Sequence, residues 1–294
     1  MQPLFSSKLF LILIIPSLLS GCARGTPAAD GKPDTDDAGG PEVAGEPADA
    51  GETSGTSDPE EREEKTEAPA AEPAEDRKPK GPADYETLRR KMVETQVVSR
   101  GITNPKVLEA MLAVPRHKFV PYRHRRRAYD DHPLPIGENQ TISQPLIVAW
   151  MSDLSGAGPG DTVLEIGTGS GYHAAVLAEM GATVYTIEIV ESLARSARLV
   201  LEALGYENIH VRHGDGYQGW PEHAPFDSVV VTAAPSKVPE PLLEQLATGG
   251  RLVLPVGEQN QYLEVYTRTE EGFERERHGA VRFVPMTGKA QEKR

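Results

Sequence analysis

A glycine-rich turn and a downstream acid are the residues of this sequence best placed to bind a ligand. Segment 163–172 reads VLEIGTGSGY, so Gly167, Gly169 and Gly171 lie between an apolar strand-like run and a helix-like run. Glycine permits unusual dihedral angles and lets the backbone approach a ligand at the carboxyl end of a sheet. Glu188 follows the first glycine at the spacing that lets a carboxylate accept hydrogen bonds from ribose hydroxyls. The pattern predicts a nucleotide-like ligand.

The spacing of the glycines distinguishes between two such ligands. A dinucleotide-binding turn has the pattern G-x-G-x-x-G, whereas here the third glycine comes one residue earlier and Glu165 precedes the turn. An acid is unfavourable beside a pyrophosphate but suits the amino group and positive sulfonium of S-adenosylmethionine. We therefore predict that Glu165, the turn with its Thr168 and Ser170, and Glu188 bind this cofactor. A tight turn without a ligand and a nicotinamide site are the alternatives.

Further motifs, spread over residues 85–288, resemble those of the protein-L-isoaspartate O-methyltransferase family. They are VPRHKFVP at 114–121, LPIG at 134–137, QTISQP at 140–145, VLEIGTGSGY at 163–172, YTIE at 185–188, GDG at 214–216, FD at 226–227, VTAAP at 231–235, LPVG at 254–257 and FVPMTG at 283–288. The segment TISQP is the most specific, because general methyltransferases lack it. The resemblance implies methyl transfer from S-adenosylmethionine, leaving S-adenosylhomocysteine, to the free α-carboxylate of L-isoaspartyl residues in proteins and peptides.

This chemistry makes few demands on the protein. A carboxylate is already ionised near neutral pH, so no general base is required. Positioning two reactants in line can supply about 7–11 kcal/mol of the barrier. The resemblance implies that Ser143 is the active-site residue, whose hydroxyl donates to the acceptor carboxylate.

The same resemblance implies roles for other residues along the cofactor. Thr141 and Ile142 would line the junction between cofactor and acceptor. Asp215, Gly216 and Thr287 match family positions near the cofactor, although each could instead be a residue of a loop or turn.

Strands and helices alternate around these residues. Predicted strands span 161–166, 183–189, 209–212, 228–232, 251–256, 262–268, 273–277 and 281–285, and predicted helices span 85–98, 104–112, 172–180, 193–204 and 240–247. Residues 114–140 are interpreted as an ordered loop. Such alternation predicts an α/β fold with a mostly parallel sheet covered on both faces. The resemblance implies the doubly wound, Rossmann-like sheet of class I methyltransferases, with an antiparallel C-terminal strand.

Composition divides the chain into three parts, which we predict to be residues 1–22, 23–84 and 85–294. Residues 23–84 contain 18 Asp and Glu against 7 Lys and Arg, with nine prolines and no aromatic residue. Such a segment cannot bury enough apolar area to fold, so we predict a disordered acidic linker. The remainder, 85–294, carries a net charge of only −3 and suits one catalytic domain. Without a net positive charge it does not favour nucleic-acid binding. The eight histidines show no metal-ligand spacing, so no metal is predicted.

The first 22 residues resemble a bacterial lipoprotein signal. Lys8 precedes an apolar run over 9–19, and the run ends in LSGC, where Cys22 is the only cysteine of the chain. The resemblance implies a lipid anchor at Cys22 and a location in the cell envelope, facing the periplasm. An ordinary signal peptide and a cytoplasmic enzyme are the alternatives, the latter because S-adenosylmethionine is made in the cytoplasm.

Two other functions remain open on the sequence alone. One is an envelope-anchored module that binds isoaspartyl sites without turnover, and the other is a methyltransferase for a small molecule. We expect a monomer in each case.

Overall fold

A seven-stranded sheet and a separate hairpin organise the computed structural model, which describes residues 84–292. In chain order the strands are β1 (Leu134–Gly137), β2 (Gln140–Ile142), β3 (Thr162–Ile166), β4 (Thr183–Glu188), β5 (Ile209–His213), β6 (Phe226–Val231), β7 (Leu246–Val256), β8 (Gln261–Arg268) and β9 (Phe273–Val281). The helices are α1 (Tyr85–Met92), α2 (Pro105–Ala113), α3 (Pro145–Ser155), α4 (Tyr172–Glu179), α5 (Glu191–Ala203), α6 (Glu240–Glu244) and α7 (Lys289–Glu292). The predictions for 1–22 and for the linker lie outside the described residues, which begin at Asp84.

The order of the strands creates a crevice beyond their carboxyl ends. The order is β5-β4-β3-β6-β7-β8-β9, with parallel pairing from β5 to β7 and antiparallel pairing of β8 with both of its neighbours. The chain therefore leaves β3 toward β4 and β5 and returns to the other side of β3 as β6. Ligands of doubly wound sheets bind beyond the carboxyl ends of strands at such a reversal. The predicted doubly wound, mostly parallel sheet is confirmed.

Apolar side chains on the two faces of the sheet form two cores. Val163 points into the core that contains α2, α3 and α4, while the next residue, Leu164, points into the core closed by Leu242 of α6. All three side chains are fully buried. Because side chains alternate along a strand, a sheet covered on both faces has apolar strands throughout. Glu165 is on the same face as Val163 and interrupts the apolar sequence of β3.

Several predicted elements are corrected by the structure. Segment 114–140 is not only loop: it contains 3-10 turns at Arg116–Phe119 and Tyr122–Arg127, and it supplies β1 and the first residue of β2. The predicted helix over 240–247 ends at Glu244, because the chain enters β7 at Leu246. The predicted strand over 281–285 is absent: β9 ends at Val281 and only a single bridge joins Pro285 to Ala234. Helix α3 was not predicted.

Candidate active site

The glycine turn forms the floor of a cleft beyond β3 and β4. Gly167 has a φ of +97°, and a Cβ atom at this position would lie 2.4 Å from Oγ1 of Thr232. That hydroxyl donates to the carbonyl of Gly167 over 2.6 Å. A side chain at 167 is therefore excluded both by the positive φ of the backbone and by the close approach of Thr232, the residue after β6. The turn presents backbone to the cleft, as its sequence predicts.

The acceptor side of the cleft comes from the β1–β2 hairpin and the residues after it. Thr141, Ile142 and Ser143 all line the cleft. Ile136 of β1 lies 3.5 Å from the position that a Cβ atom of Gly169 would occupy. The hairpin thus arches over the glycine turn, and the segment carrying Ser143 faces the cofactor crevice within a single cleft.

Glu165 lies at the bottom of this cleft and is fully buried. Oε2 accepts a hydrogen bond from Oγ1 of Thr186 over 2.5 Å, and that hydroxyl is 2.6 Å from Oγ1 of Thr168. Oε1 has no hydrogen-bond partner among the described residues. Because Thr186 donates to the carboxylate, Thr168 must donate to Thr186. The acid is therefore tied to the glycine turn through two threonines.

Burial dominates the ionisation of this acid. It raises the pKa of Glu165 to about 8, against the hydrogen bond from Thr186, and the negative charge of Glu188 adds to the increase. The backbone N–H of Ala174 opposes the shift weakly without completing a hydrogen bond to Oε1. A buried carboxylate oxygen without a donor is unfavourable. A cationic ligand that donates to Oε1 would supply the missing hydrogen bond and would also balance the negative charge of the ionised Glu165.

Glu188 occupies the end of β4 at the rim of the same cleft. Its Oε2 accepts from the backbone N–H of Gly169 over 2.8 Å and its Oε1 from the N–H of Val190 over 2.9 Å. Each carboxylate oxygen can accept more than one hydrogen bond. Glu188 therefore fixes the glycine turn and retains acceptor capacity for hydroxyl groups of a ligand. Ile189 and Val190 add an apolar wall beside it.

A C-terminal strap, residues 284–287, closes the remaining side of the cleft. The backbone of Ala234 holds it at one end, by donating to Val284 and accepting from Met286 over 2.8 Å each. Asp215 holds the other end, because its Oδ2 accepts from the backbone N–H of Lys289 over 2.8 Å. Thr287 lies on this strap and lines the cleft, as the resemblance implies.

Two predicted cofactor residues are not brought to the cleft. Both oxygens of Asp215 accept backbone N–H groups, from Tyr217 and Lys289, and the residue is absent from the lining. Gly171 is the N-cap of α4, where a Cβ atom would lie 3.2 Å from Leu201. We interpret both as residues that position the neighbouring cleft residues without lining the cleft themselves. The other predicted residues line the cleft: Thr141, Ile142, Ser143, Glu165, Gly167, Thr168, Gly169, Ser170, Glu188, Gly216 and Thr287.

The prediction omitted several residues of the cleft. Thr186 and Thr232 orient the acid and the turn. Both stand in quoted motifs, YTIE and VTAAP, but the motifs alone do not indicate this role. His173 lines the cleft and its Nε2 lies 3.0 Å from Oγ of the buried Ser152. Burial lowers the pKa of His173 to about 4, so its ring is neutral near pH 7. Within residues 84–292 no group of three acidic, histidine or cysteine side chains is arranged to hold a metal ion.

The cleft fits S-adenosylmethionine better than a dinucleotide. Glu165 offers one free carboxylate oxygen at the depth of the glycine turn, where a pyrophosphate would be repelled. Glu188, at the end of β4, offers carboxylate acceptors for hydroxyl groups such as those of a ribose. The fold and this cleft together define an S-adenosylmethionine-dependent methyltransferase of the doubly wound class.

Comparison with known proteins places the chain within that class. Residues 87–291 match the family model described as protein-L-isoaspartate(D-aspartate) O-methyltransferase. The chain belongs to this family. It is 59% identical to a protein-L-isoaspartate O-methyltransferase of Gloeobacter violaceus over 67% of the chain and 97% of the relative. It is 56% identical to one from a Picosynechococcus species, over 68% of the chain and 90% of that relative.

Solved structures agree with this placement. A protein-L-isoaspartate O-methyltransferase matches with a TM-score of 0.63 and 28% identity, covering 70% of this chain and 67% of that one. An enzyme of the same description from Plasmodium falciparum, in complex with S-adenosyl-L-homocysteine, matches with a TM-score of 0.59 and 26% identity. That match covers 70% of this chain and 99% of the other.

Proposed function

We propose that this protein transfers the methyl group of S-adenosylmethionine to the free α-carboxylate of L-isoaspartyl residues in proteins and peptides, which starts their repair. The observation that supports this most directly is the common cleft of Ser143 and the glycine turn. An acceptor held at Ser143 faces the crevice in which the methyl donor binds. Membership in the family supplies the substrate class.

The residues of the cleft divide the work between donor and acceptor. When bound, S-adenosylmethionine supplies a methyl group on a sulfonium, which is a good leaving group. Glu165 and Glu188 hold the donor from the sheet side. Ser143 donates its hydroxyl to one oxygen of the acceptor carboxylate and so orients the other oxygen toward the methyl group. No side chain has to remove a proton, because the acceptor is already ionised near neutral pH.

Methyl transfer from labelled S-adenosylmethionine to an isoaspartyl peptide, with the purified full chain, tests this function. The matched peptide with ordinary aspartate should remain unlabelled. Labelling of small-molecule carboxylates but not of the peptide would overturn the assignment, and so would peptide binding without turnover.

Ser143→Ala should lower turnover about tenfold or more, the cost of losing a hydrogen bond to a charged group. Its Kd for the cofactor should stay close to that of the parent protein, because the lost bond is to the acceptor. Ser196→Ala is the matched control, since Ser196 is exposed on α5 and donates only to the carbonyl of Ser192. Equal losses of turnover and cofactor affinity in Ser143→Ala would contradict the proposed role.

We also propose that the catalytic domain, residues 85–294, is a monomer tethered to the cell envelope by an acidic linker and a lipid on Cys22. The LSGC sequence and the composition of 23–84 support this. Among the described residues no helix is both long and apolar enough to cross a membrane. Cell fractionation should find the protein with the membranes and Cys22→Ala released from them. Recovery of unprocessed protein in the cytoplasm would support the cytoplasmic alternative.

A further inference from the structure

Arg116 is a buried cation immediately behind the acceptor side of the cleft. It has no exposed surface. Its Nε donates to the carbonyl of Ala128 over 2.7 Å and its Nη2 donates to the carbonyl of Ser143 over 2.6 Å. The guanidinium also lies over the ring of Tyr172, 4.7 Å from the centroid. Two of these three contacts, Ser143 and Tyr172, line the cleft.

The charge of Arg116 is not neutralised by an acid in the part of the chain that the structure describes. It takes part in no ion pair there, and its Nη1 is buried without a hydrogen-bond partner. Burial lowers the pKa of Arg116, yet an arginine side chain remains protonated near neutral pH. A buried charge that lacks a partner is costly, since the loss of hydration is not repaid.

The carbonyl groups and the tyrosine ring around Arg116 contact the guanidinium without neutralising its charge. The neighbouring His117 has its pKa lowered to about 4, first by burial and then by the charges of Lys118, Arg125 and Arg89. Asp131, in the segment before β1, is paired with Arg100 and accepts from the side chain of Gln144. Positive charge therefore predominates behind the acceptor segment, whereas the opposite wall of the cleft holds Glu165.

We propose that Arg116 is a positioning residue for the acceptor: it fixes the backbone at Ser143 and supplies the positive charge that favours an ionised carboxylate in the cleft. The proposal rests on the proposed function, because the anion that would complement Arg116 is the α-carboxylate of the isoaspartyl substrate. It also explains how the neutral hydroxyl of Ser143 can be enough to bind an anionic acceptor. The positive charge that complements the acceptor carboxylate is supplied by Arg116, which lies behind Ser143.

Two substitutions separate the charge of Arg116 from its hydrogen bonds. Arg116→Lys keeps a cation but cannot reach both carbonyls with one ammonium group, and Arg116→Met removes charge and donors while keeping the length of the side chain. Arg277→Met is the control, because Arg277 pairs with Glu264 on β8 and takes no part in the cleft. Steady-state kinetics with an isoaspartyl peptide, the cofactor Kd and thermal unfolding are measured for each.

The expected pattern is specific to the acceptor. Arg116→Met should lower kcat/KM for the peptide about tenfold or more, as expected for a lost interaction with a charged group. Arg116→Lys should recover part of that loss, mainly in KM, and the cofactor Kd of both variants should remain within about twofold of the parent value. Unchanged peptide kinetics in a folded Arg116→Met protein would overturn the proposal, as would a parallel loss of cofactor affinity.

A measurement on the unsubstituted protein keeps the proposal testable if both variants fail to fold. The Nε–H of a buried arginine exchanges slowly with solvent, so its NMR signal can be followed in deuterated buffer with the cofactor product bound. Adding the isoaspartyl peptide should shift this signal, and adding the matched aspartyl peptide should not. No shift with a peptide that is methylated would overturn the role of Arg116. A protein that methylates no isoaspartyl peptide would instead refute the proposed function.

Discussion

Two buried carboxylates of the same sheet show how differently one fold can treat a negative charge. Glu264 on β8 is 1% exposed, and it accepts hydrogen bonds from Arg275, Arg277 and Tyr266. Burial alone would raise its pKa, but the hydrogen bonds from Arg275, Tyr266 and Arg277 and the charge of Arg275 together lower it. Glu165 on β3 is as deeply buried but has one hydroxyl donor and a raised pKa.

The difference separates a structural charge from a functional one. Glu264 has its partners supplied within the described chain, so its charge fastens β8 to β9. Within residues 84–292 Glu165 lacks a hydrogen-bond partner for one oxygen, which a bound ligand can supply. A buried polar atom without a hydrogen bond is rare in folded proteins and therefore marks a candidate ligand contact. Glu188 is intermediate, because backbone N–H groups satisfy it and it still lines the cleft.

Glu188→Ala should have the largest effect, because it removes ligand contacts together with the acceptors for the backbone N–H groups of Gly169 in the turn and of Val190 after β4. We expect cofactor binding to weaken by about 1.5–3 kcal/mol, as for lost hydrogen bonds to a charged group. Titration calorimetry with S-adenosylmethionine measures this. Unchanged affinity would mean that Glu188 serves only the turn.

Glu165→Gln should weaken cofactor binding by about 1.5 kcal/mol or more while leaving the ligand-free protein folded. Glutamine preserves the shape and can still accept from Thr186, but it cannot supply the charge that complements the amino group of the cofactor. Calorimetry gives the affinity, and thermal unfolding without ligand gives the stability. A variant that binds the cofactor as tightly as the parent protein would remove Glu165 from the donor site.

Glu264→Gln should show the opposite pattern. Loss of its charged hydrogen bonds should lower the free energy of unfolding by about 1–3 kcal/mol, moderated because both arginines are about half exposed. The cofactor Kd should not change. Chemical denaturation and calorimetry on the same preparation test both statements. Weaker cofactor binding by Glu264→Gln would contradict the distinction between a structural and a functional acid.

The two acids should also act in different ranges of pH. Between the ordinary value of 4.5 and about 8, folded Glu165 holds a proton that the unfolded chain releases. In that range its contribution to stability should fall as pH rises, by up to about 1.4 kcal/mol per pH unit. The lowered pKa of Glu264 gives the reverse sign: its contribution is complete above its ordinary range and is lost in acid, as pH falls through the lowered value.

Denaturation curves at a series of pH values measure these contributions. Glu165→Gln should remove the slope near neutral pH, and Glu264→Gln should reduce the loss of stability in acid. Parallel curves for Glu165→Gln and the parent protein across the neutral range would show that Glu165 is already ionised in the ligand-free state.

The parts of the fold that sequence predicts are those with a strong periodic pattern. The amphipathic run of α5 and the apolar strands β3 and β4 are found where the pattern places them. The hairpin β1–β2 escaped because its strands have only four and three residues, too few for an alternation to be recognised. In its turn, Glu138 and Asn139 have positive φ angles of +51° and +56°. Of these two residue types only asparagine is typical of such a turn, so the sequence gives a weak signal for it.

Site residues that stand in a recognised motif could be predicted from the sequence, whereas roles that depend on tertiary packing could not. The glycine turn and Ser143 stand in contiguous motifs, and both line the cleft. Asp215 stands in a motif too, but its carboxylate is occupied by backbone donors from Tyr217 and the strap. Thr186 and Arg116 also stand in motifs, YTIE and VPRHKFVP. Their contacts, with Glu165 and with the carbonyl of Ser143, depend on packing between segments distant in the chain, which the motifs do not reveal.

The strap has a consequence for how the enzyme is made. Residues 284–287 follow the last strand of the sheet in chain order, yet they form one wall of the donor cleft. A chain that emerges from its N-terminus onward can therefore form the glycine turn and most of the sheet while its donor cleft is still open on one side. Competence to hold the methyl donor should follow only when residues 284–287 have emerged and packed against Ala234.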